Sequence, residues 1–506
     1  MATLSSSYEP RCPTAGTLYQ IVQEHFETFR VQAAHVRDGE GLPRFVEAEF
    51  RDFLRCGSLA GGFARFQCGT CGLDRLVAFS CKGRGICPSC GGRRMAERAA
   101  HLVDHVFPDV PVRQWVLSLP YRLRYRLAWD HDLCRAVVAL FVRAVLRCLH
   151  ARARDGGVGD GHGGAVAVVQ RFGGALNLNV HIHALVLDGV FAPGRADALA
   201  FHPAPPLTTL DVAEVLQTVE ARVRRLLERR GFGDGDAGAS DGDVWAEEAP
   251  GLAGLAAASV QGQLALGRDR GARVQRLGDE AEEEGETAHG NCHARANGFD
   301  LHAGLVVPAG QRERLERVCR YALRPPVSAE RLSLSIAGQV LVQFRQPWRD
   351  GTTHLAFEPV EFLGRLAVLV PRPRINLLLY HGVLAPRAAW RSEVVPRTLP
   401  AGGGAVCSHE ATETADVARR RARGRLWAGL MQRTFGMDVL ACSRCGGRLR
   451  LIALIEQAAV IQRILRHLGL PDTVPTPSPA RAPPLPIRRH ANNSRYAPDA
   501  DDVEAP

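Results

Sequence analysis

Three groups of residues carry chemistry by their type and spacing. The first is Cys68-x2-Cys71, followed fifteen residues later by Cys87-x2-Cys90. Two thiolates two residues apart can chelate one ion from a tight turn, and two such turns complete and close a tetrahedron. A closed site holds structure and does no chemistry. The expectation is therefore one structural Zn²⁺ on Cys68, Cys71, Cys87 and Cys90, with Cys56 and Cys81 available as further ligands or for a second ion. Lys82, Arg84, Arg93 and Arg94 flank the cluster and offer contacts to DNA. Cys442-x2-Cys445, followed by two glycines, is half of a similar site, which Cys407 and His409 are candidates to complete.

The second group is NVHIHALVLDGVF, in which His181 and His183 stand two apart in a predicted strand. Side chains two apart project from one face, so both imidazoles can converge on one metal ion. Two histidines leave that ion open to substrate oxygens, as a catalytic site requires. Gln170 on the preceding strand offers a carboxamide oxygen as third ligand. The third group is the predicted helix QRERLERVCRYAL at 311–323. Its apolar stripe is Leu315, Val318, Cys319 and Ala322, and Tyr321 lies off it. Arg317, Arg320 and Arg324 surround the tyrosine. Guanidinium groups there favour a phenolate and can hold a phosphate, which suits attack on a phosphodiester.

The elements that must position these groups read as α+β. A helical lead-in over 1–50 precedes a cysteine-rich zinc-binding domain at 51–100. A domain over 101–385 begins with the strand Arg113–Leu119 and a helix over 130–152. It continues with the strands Ala165–Phe172 and Leu178–Val190 and a helix from Leu210 to Arg230. Residues 231–296 are rich in Gly, Ala, Asp and Glu and read as a flexible insertion. The tyrosine helix, stopped by Pro325-Pro326, a hairpin, a helix near 359–369 and the strand INLLLYHGV follow. A C-terminal region, 386–470, holds an arginine-rich segment and the second cysteine motif, and a Pro-rich tail over 471–506 reads as disordered.

The formal net charge is +10, and Lys82 is the single lysine. A basic balance points to a polyanionic partner, nucleic acid first. No apolar run reaches membrane-spanning length, and Met1–Thr14 lacks the signal-peptide pattern, so the expectation is a cytoplasmic, nucleoid-associated protein with no membrane partner. Fourteen cysteines in a reducing compartment favour metal sites over disulfides.

Long stretches resemble the rolling-circle transposases of the IS-ninety-one type, members of the HUH (His-hydrophobic-His) endonuclease superfamily. They include LVAFSCKGRGICPSCGGRRMAE at 76–97, GHGGAVAVVQRFGGALNLNVHIHALVLDGVF at 161–191, CRYALRPP at 319–326 and DVLACSRCGGRLRLIALIEQAAVIQRILRHLGLP at 438–471. The resemblance covers roughly residues 45 to 470. It implies a small antiparallel sheet flanked by helices, Mg²⁺ or Mn²⁺ on His181 and His183, and Tyr321 as a nucleophile that forms a 5′-phosphotyrosine. It also implies single-stranded DNA at transposon ends and target as partner, and leaves an oligomer open. Some members carry two tyrosines four apart. Here Arg317 and Pro325 occupy the flanking positions, so the chain resembles a one-tyrosine variant, with Tyr380 read as a core strand residue. The competing readings are a plasmid relaxase or replication initiator, a zinc-dependent DNA-binding regulator without nuclease activity, and a three-carboxylate transposase using Asp188 and Glu358.

Overall fold

The computed structural model describes residues 12–36, 41–194, 198–232, 243–278, 292–348, 350–395, 428–433 and 438–481. Its centre is a six-stranded sheet, antiparallel throughout. The strand order is Leu378–Gly382, Gly164–Phe172, Leu178–Leu187, Val112–Ser118, Phe299–Val307 and His293–Ala296. Alternation assigns its two faces. Trp115, Leu117, Ala165, Ala167, Val169, Ile182 and Ala184 turn to one core. There the helices Tyr121–Trp129, His131–Asp155, Thr209–Arg229 and Pro250–Gln261 pack on the sheet. The other face carries Val112, Val166, Leu185 and Leu187 into a smaller core. The helices Pro88–His105 and Arg312–Leu323 cover that half. Asp130 fixes the start of the long helix by accepting the Leu133 backbone N–H at 2.8 Å.

The stretch expected as a flexible insertion is folded over residues 243–278. It holds the helices Val244–Glu248 and Pro250–Gln261, and Gln275–Gly278 joins a four-stranded sheet. Trp245 is buried between Tyr125 and Trp129, with ring centroids 4.8 and 5.0 Å away. The Gly/Ala composition that mimics flexibility serves close packing instead. A Cβ on Gly251 would come within 2.9 Å of the Ala33 carbonyl oxygen. His293–Ala296, at the end of the expected insertion, forms the sheet's outer strand.

A buried ion pair fastens this segment. Arg365 and Glu361, on the helix Pro359–Leu369, are each 2% exposed. Glu361 accepts the N–H groups of Ala265 and Leu266 and the Arg365 Nε at 2.8 Å, while Arg365 also donates to the Ser259 and Gln263 carbonyls. Removing one partner strands a charge in the core. Arg365→Ala should therefore cost about 3–5 kcal/mol of stability, read by urea denaturation. A loss below ~1 kcal/mol would show that the segment is held by apolar packing instead.

A second, three-stranded sheet joins the two ends of the chain. Phe63–Cys68 lies between Asp74–Ala78 and Leu449–Ile455. Behind it the helix Ala458–His467 places Ile461 and Leu465 on Phe63. The zinc-binding and C-terminal regions thus share one sheet.

Candidate active site and cysteine centres

The sheet register assembles the histidine site. His181 lies opposite Gln170 on one neighbouring strand and Ser118 on the other, and His183 lies opposite Val168 and Val116. All six side chains share one face. The imidazole centroids are 4.9 Å apart. His181 Nδ1 donates to the Asn179 carbonyl at 2.9 Å, which leaves Nε2 with its lone pair. His183 Nε2 and Gln170 Oε1 are buried with no hydrogen-bond partner. Buried polar atoms without partners are costly, and two on one face of adjacent strands suit a cation. Burial, then the charges of His181 and Arg324, push the His183 pKa down to about 3; burial also lowers His181. Both rings are thus neutral, the form that ligates metal.

Gln114 completes the arrangement and escapes a reading of the sequence. It is 7% exposed, and its Nε2 lies 3.0 Å from His183 Nδ1. Amide oxygen and nitrogen exchange by a half-turn. With Oε1 facing Nδ1–H, Gln114 would hold the tautomer whose Nε2 is free to ligate. The available signal was one polar residue at an inward position between Val112 and Val116.

The helix Arg312–Leu323 buries Leu315, Cys319 and Ala322 and brings Tyr321 to the site. Tyr321 is 46% exposed. Its ring stands edge-on to His183, with centroids 5.9 Å apart. Gln170 Nε2 ties the helix to the sheet through the Ala322 carbonyl at 3.2 Å. Arg324 lies 4.5 Å from the Tyr321 ring centroid and 5.6 Å from that of Phe172. Arg317 is exposed one turn before the tyrosine. Arg320 differs from expectation: it pairs with the buried Glu316, which also binds Arg433. Its charge is offset within the fold. Tyr380 sits half-buried on the sheet's edge strand, with Arg391 6.0 Å from its ring centroid.

Asp188 is held by both Arg113 Nε and Nη2 at 2.8 Å. Among the described residues no three carboxylates or histidines converge, which leaves the three-carboxylate reading without a centre.

The cysteines group differently from their sequence spacing. Cys68 and Cys71 do not meet Cys87 and Cys90. One cluster is Cys56, Cys81, Cys87 and Cys90; the other is Cys68, Cys71, Cys442 and Cys445. The hairpin explains the division. Asp74–Ala78 runs back along Phe63–Cys68, so its two ends stand a strand length apart, roughly 17–20 Å. The Cys68–Cys71 turn occupies one end, and Cys81 is returned to Cys56 at the other. In the first cluster Cys56–Cys90, Cys81–Cys90 and Cys56–Cys87 lie 3.5 to 3.8 Å apart, and all four sulfurs lie within 4.8 Å of one another. Four thiolates about 2.3 Å from one ion would have edges of roughly 3.8 Å. These thiols therefore fit zinc. Cys407 and His409, considered as partners for Cys442 and Cys445, lie outside the described residues.

A cleft of about 2660 Å³ opens between the cysteine-bearing domain and the large sheet. Arg93, Arg94, Arg324, Arg331, Arg345 and Trp348 are on its walls. Its charge and shape suit an extended polyanion.

Residues 21–119 match the family described as "Transposase zinc-binding domain", and residues 164–392 match that described as "Putative transposase". Neither a curated protein nor a solved structure matches the chain. The two family matches, in this order on an α+β fold with clustered cysteines, define a zinc-binding transposase, a protein that binds DNA and acts in its cleavage and transfer. The chain belongs to the IS-ninety-one family of transposases. Among the described residues no helix is long and apolar enough to cross a membrane.

Proposed function

We propose that this transposase nicks single-stranded DNA at the ends of a rolling-circle element and joins it to a target through Tyr321. The observation that carries this reading is the meeting of Tyr321 with His183, where the buried His183 Nε2 and Gln170 Oε1 have no partner. The Tyr321 oxygen attacks the scissile phosphorus and its proton passes to solvent. The P–O3′ bond breaks, the departing 3′ oxygen takes a proton, and the 5′ phosphate stays esterified to Tyr321. Attack by a 3′-hydroxyl on that ester reverses the step and joins strands, so one tyrosine serves both cuts. His181, His183 and Gln170 would hold Mg²⁺ or Mn²⁺, which when bound withdraws charge from the phosphate. Arg324 and Arg317 would hold the phosphate oxygens beside the phenol.

The test is incubation of the full chain with Mg²⁺ and a labelled single strand bearing the element's end, resolved on a denaturing gel. A protein–DNA adduct mapping to Tyr321 is expected. Cleavage leaving a free 5′ phosphate and no adduct would point to hydrolysis, and binding without cleavage would point to a regulator. Arg324 should also contribute to affinity. Arg324→Ala is expected to weaken single-strand binding and to lower the slope of log K against log salt by about 0.7, one phosphate contact. An unchanged slope would remove Arg324 from the DNA path.

A further inference from the structure

The second thiol cluster draws on residues at both ends of the chain, and Cys442 and Cys445 lie outside the span that matches a zinc-binding domain. We propose that Cys68, Cys71, Cys442 and Cys445 bind a second zinc ion, separate from that of Cys56, Cys81, Cys87 and Cys90, and that this ion closes a ribbon made from the two chain ends. All four sulfurs lie within 4.8 Å of one another, with Cys68 3.5 Å from Cys445 and Cys71 3.6 Å from Cys442. None is in a disulfide. These separations approach the roughly 3.8 Å edge of a four-thiolate zinc tetrahedron.

The two turns are copies of one another. Gly72 N–H donates to the Cys68 carbonyl at 3.0 Å, and Cys68 N–H to Leu73 at 2.9 Å. Gly446 N–H donates to the Cys442 carbonyl at 2.9 Å, and Cys442 N–H to Gly447 at 2.7 Å. Gly72 and Gly446 adopt φ of 70° and 69°, in the left-handed region that a side chain strains. Two equal turns, each presenting two thiols to the other, form the halves of one chelate.

The surroundings explain why an ion would be needed. Leu449–Ile455 pairs along the whole of Phe63–Cys68, and Cys68 opposite Leu449 marks the end next to the thiols. At that end the buried core among the described residues is Cys68, Cys442 and Leu449, with Phe66, Cys71 and Leu73 half-buried against it. So small a core cannot hold two remote segments together, and metal ligation supplies the missing free energy. Cys445 is exposed, whereas the first cluster holds no exposed thiol. The second ion should accordingly leave first to a chelator.

Zinc content of the purified full chain, measured by inductively coupled plasma mass spectrometry, tests this. Two ions per chain are expected, released by a chelator in two phases. The Cys442→Ser/Cys445→Ser chain should hold one. In that variant hydrogen exchange should quicken over Leu449–Ile455 and Phe63–Cys68 and stay unchanged over Leu178–Leu187. One ion in the wild type, or two in the variant, would overturn the proposal. Should the variant fail to fold, cobalt(II) titration of the metal-free wild type decides. The visible band of tetrahedral thiolate cobalt should grow to two equivalents, and a plateau at one would overturn the assignment.

Discussion

A Tyr321→Phe chain is expected to form no covalent DNA adduct and to cleave at least on the order of 10⁴-fold more slowly, the scale on which enzymes lose activity with their nucleophile. Binding of single-stranded DNA should stay within about twofold, because the change removes only a hydroxyl and leaves every contact that positions the ring. The ring would still stand edge-on to His183 and under Arg324, and Leu315, Cys319 and Ala322 would still seat the helix. Adduct formation and filter binding on the same preparations separate the two effects. Persistence of an adduct in the variant would move the nucleophile elsewhere. Tyr380 would be examined first, since it stands on the same sheet two strands from the histidines. A parallel loss of binding and cleavage would instead give Tyr321 a part in holding DNA.

What could be read ahead of the structure follows from the range of the interactions. The histidine site rests on strand alternation and on adjacent strands, so His181, His183 and Gln170 were foreseeable as one face. Tyr321 was separable from the core because helical periodicity sets it off the Leu315–Cys319–Ala322 stripe. The cysteine ligands were not, since their grouping depends on which end of the hairpin each turn occupies and on a strand from the far end of the chain. The glycine after each pair, Gly72 and Gly446, was the available sign that the turns match. Arg320 was misleading for a similar reason. Its neighbour Glu316, one turn back, takes it away from the tyrosine, and spacing alone does not say which arginine stays free. Residues 243–278 were misjudged because small residues signal flexibility in a polar chain and tight contact in a packed one.

The same separation of sites governs the second large effect. His181→Ala should remove metal-dependent cleavage and leave zinc content unchanged. The catalytic ion is expected to supply several kcal/mol of transition-state stabilisation, about 10²- to 10³-fold in rate. Manganese binding, followed by electron paramagnetic resonance, should weaken in step. The zinc should not follow, because its ligands belong to the cysteine-bearing domain and the histidines to a central strand of the large sheet. The fold should also tolerate the change. His181 is half-buried, and its ring donates to the Asn179 carbonyl, two residues away. Loss of zinc along with activity would mean that the two centres are coupled through folding. Retained manganese binding with lost cleavage would mean that His181 touches the DNA and not the ion, leaving His183 and Gln170, each with a buried atom that lacks a partner, to carry the metal.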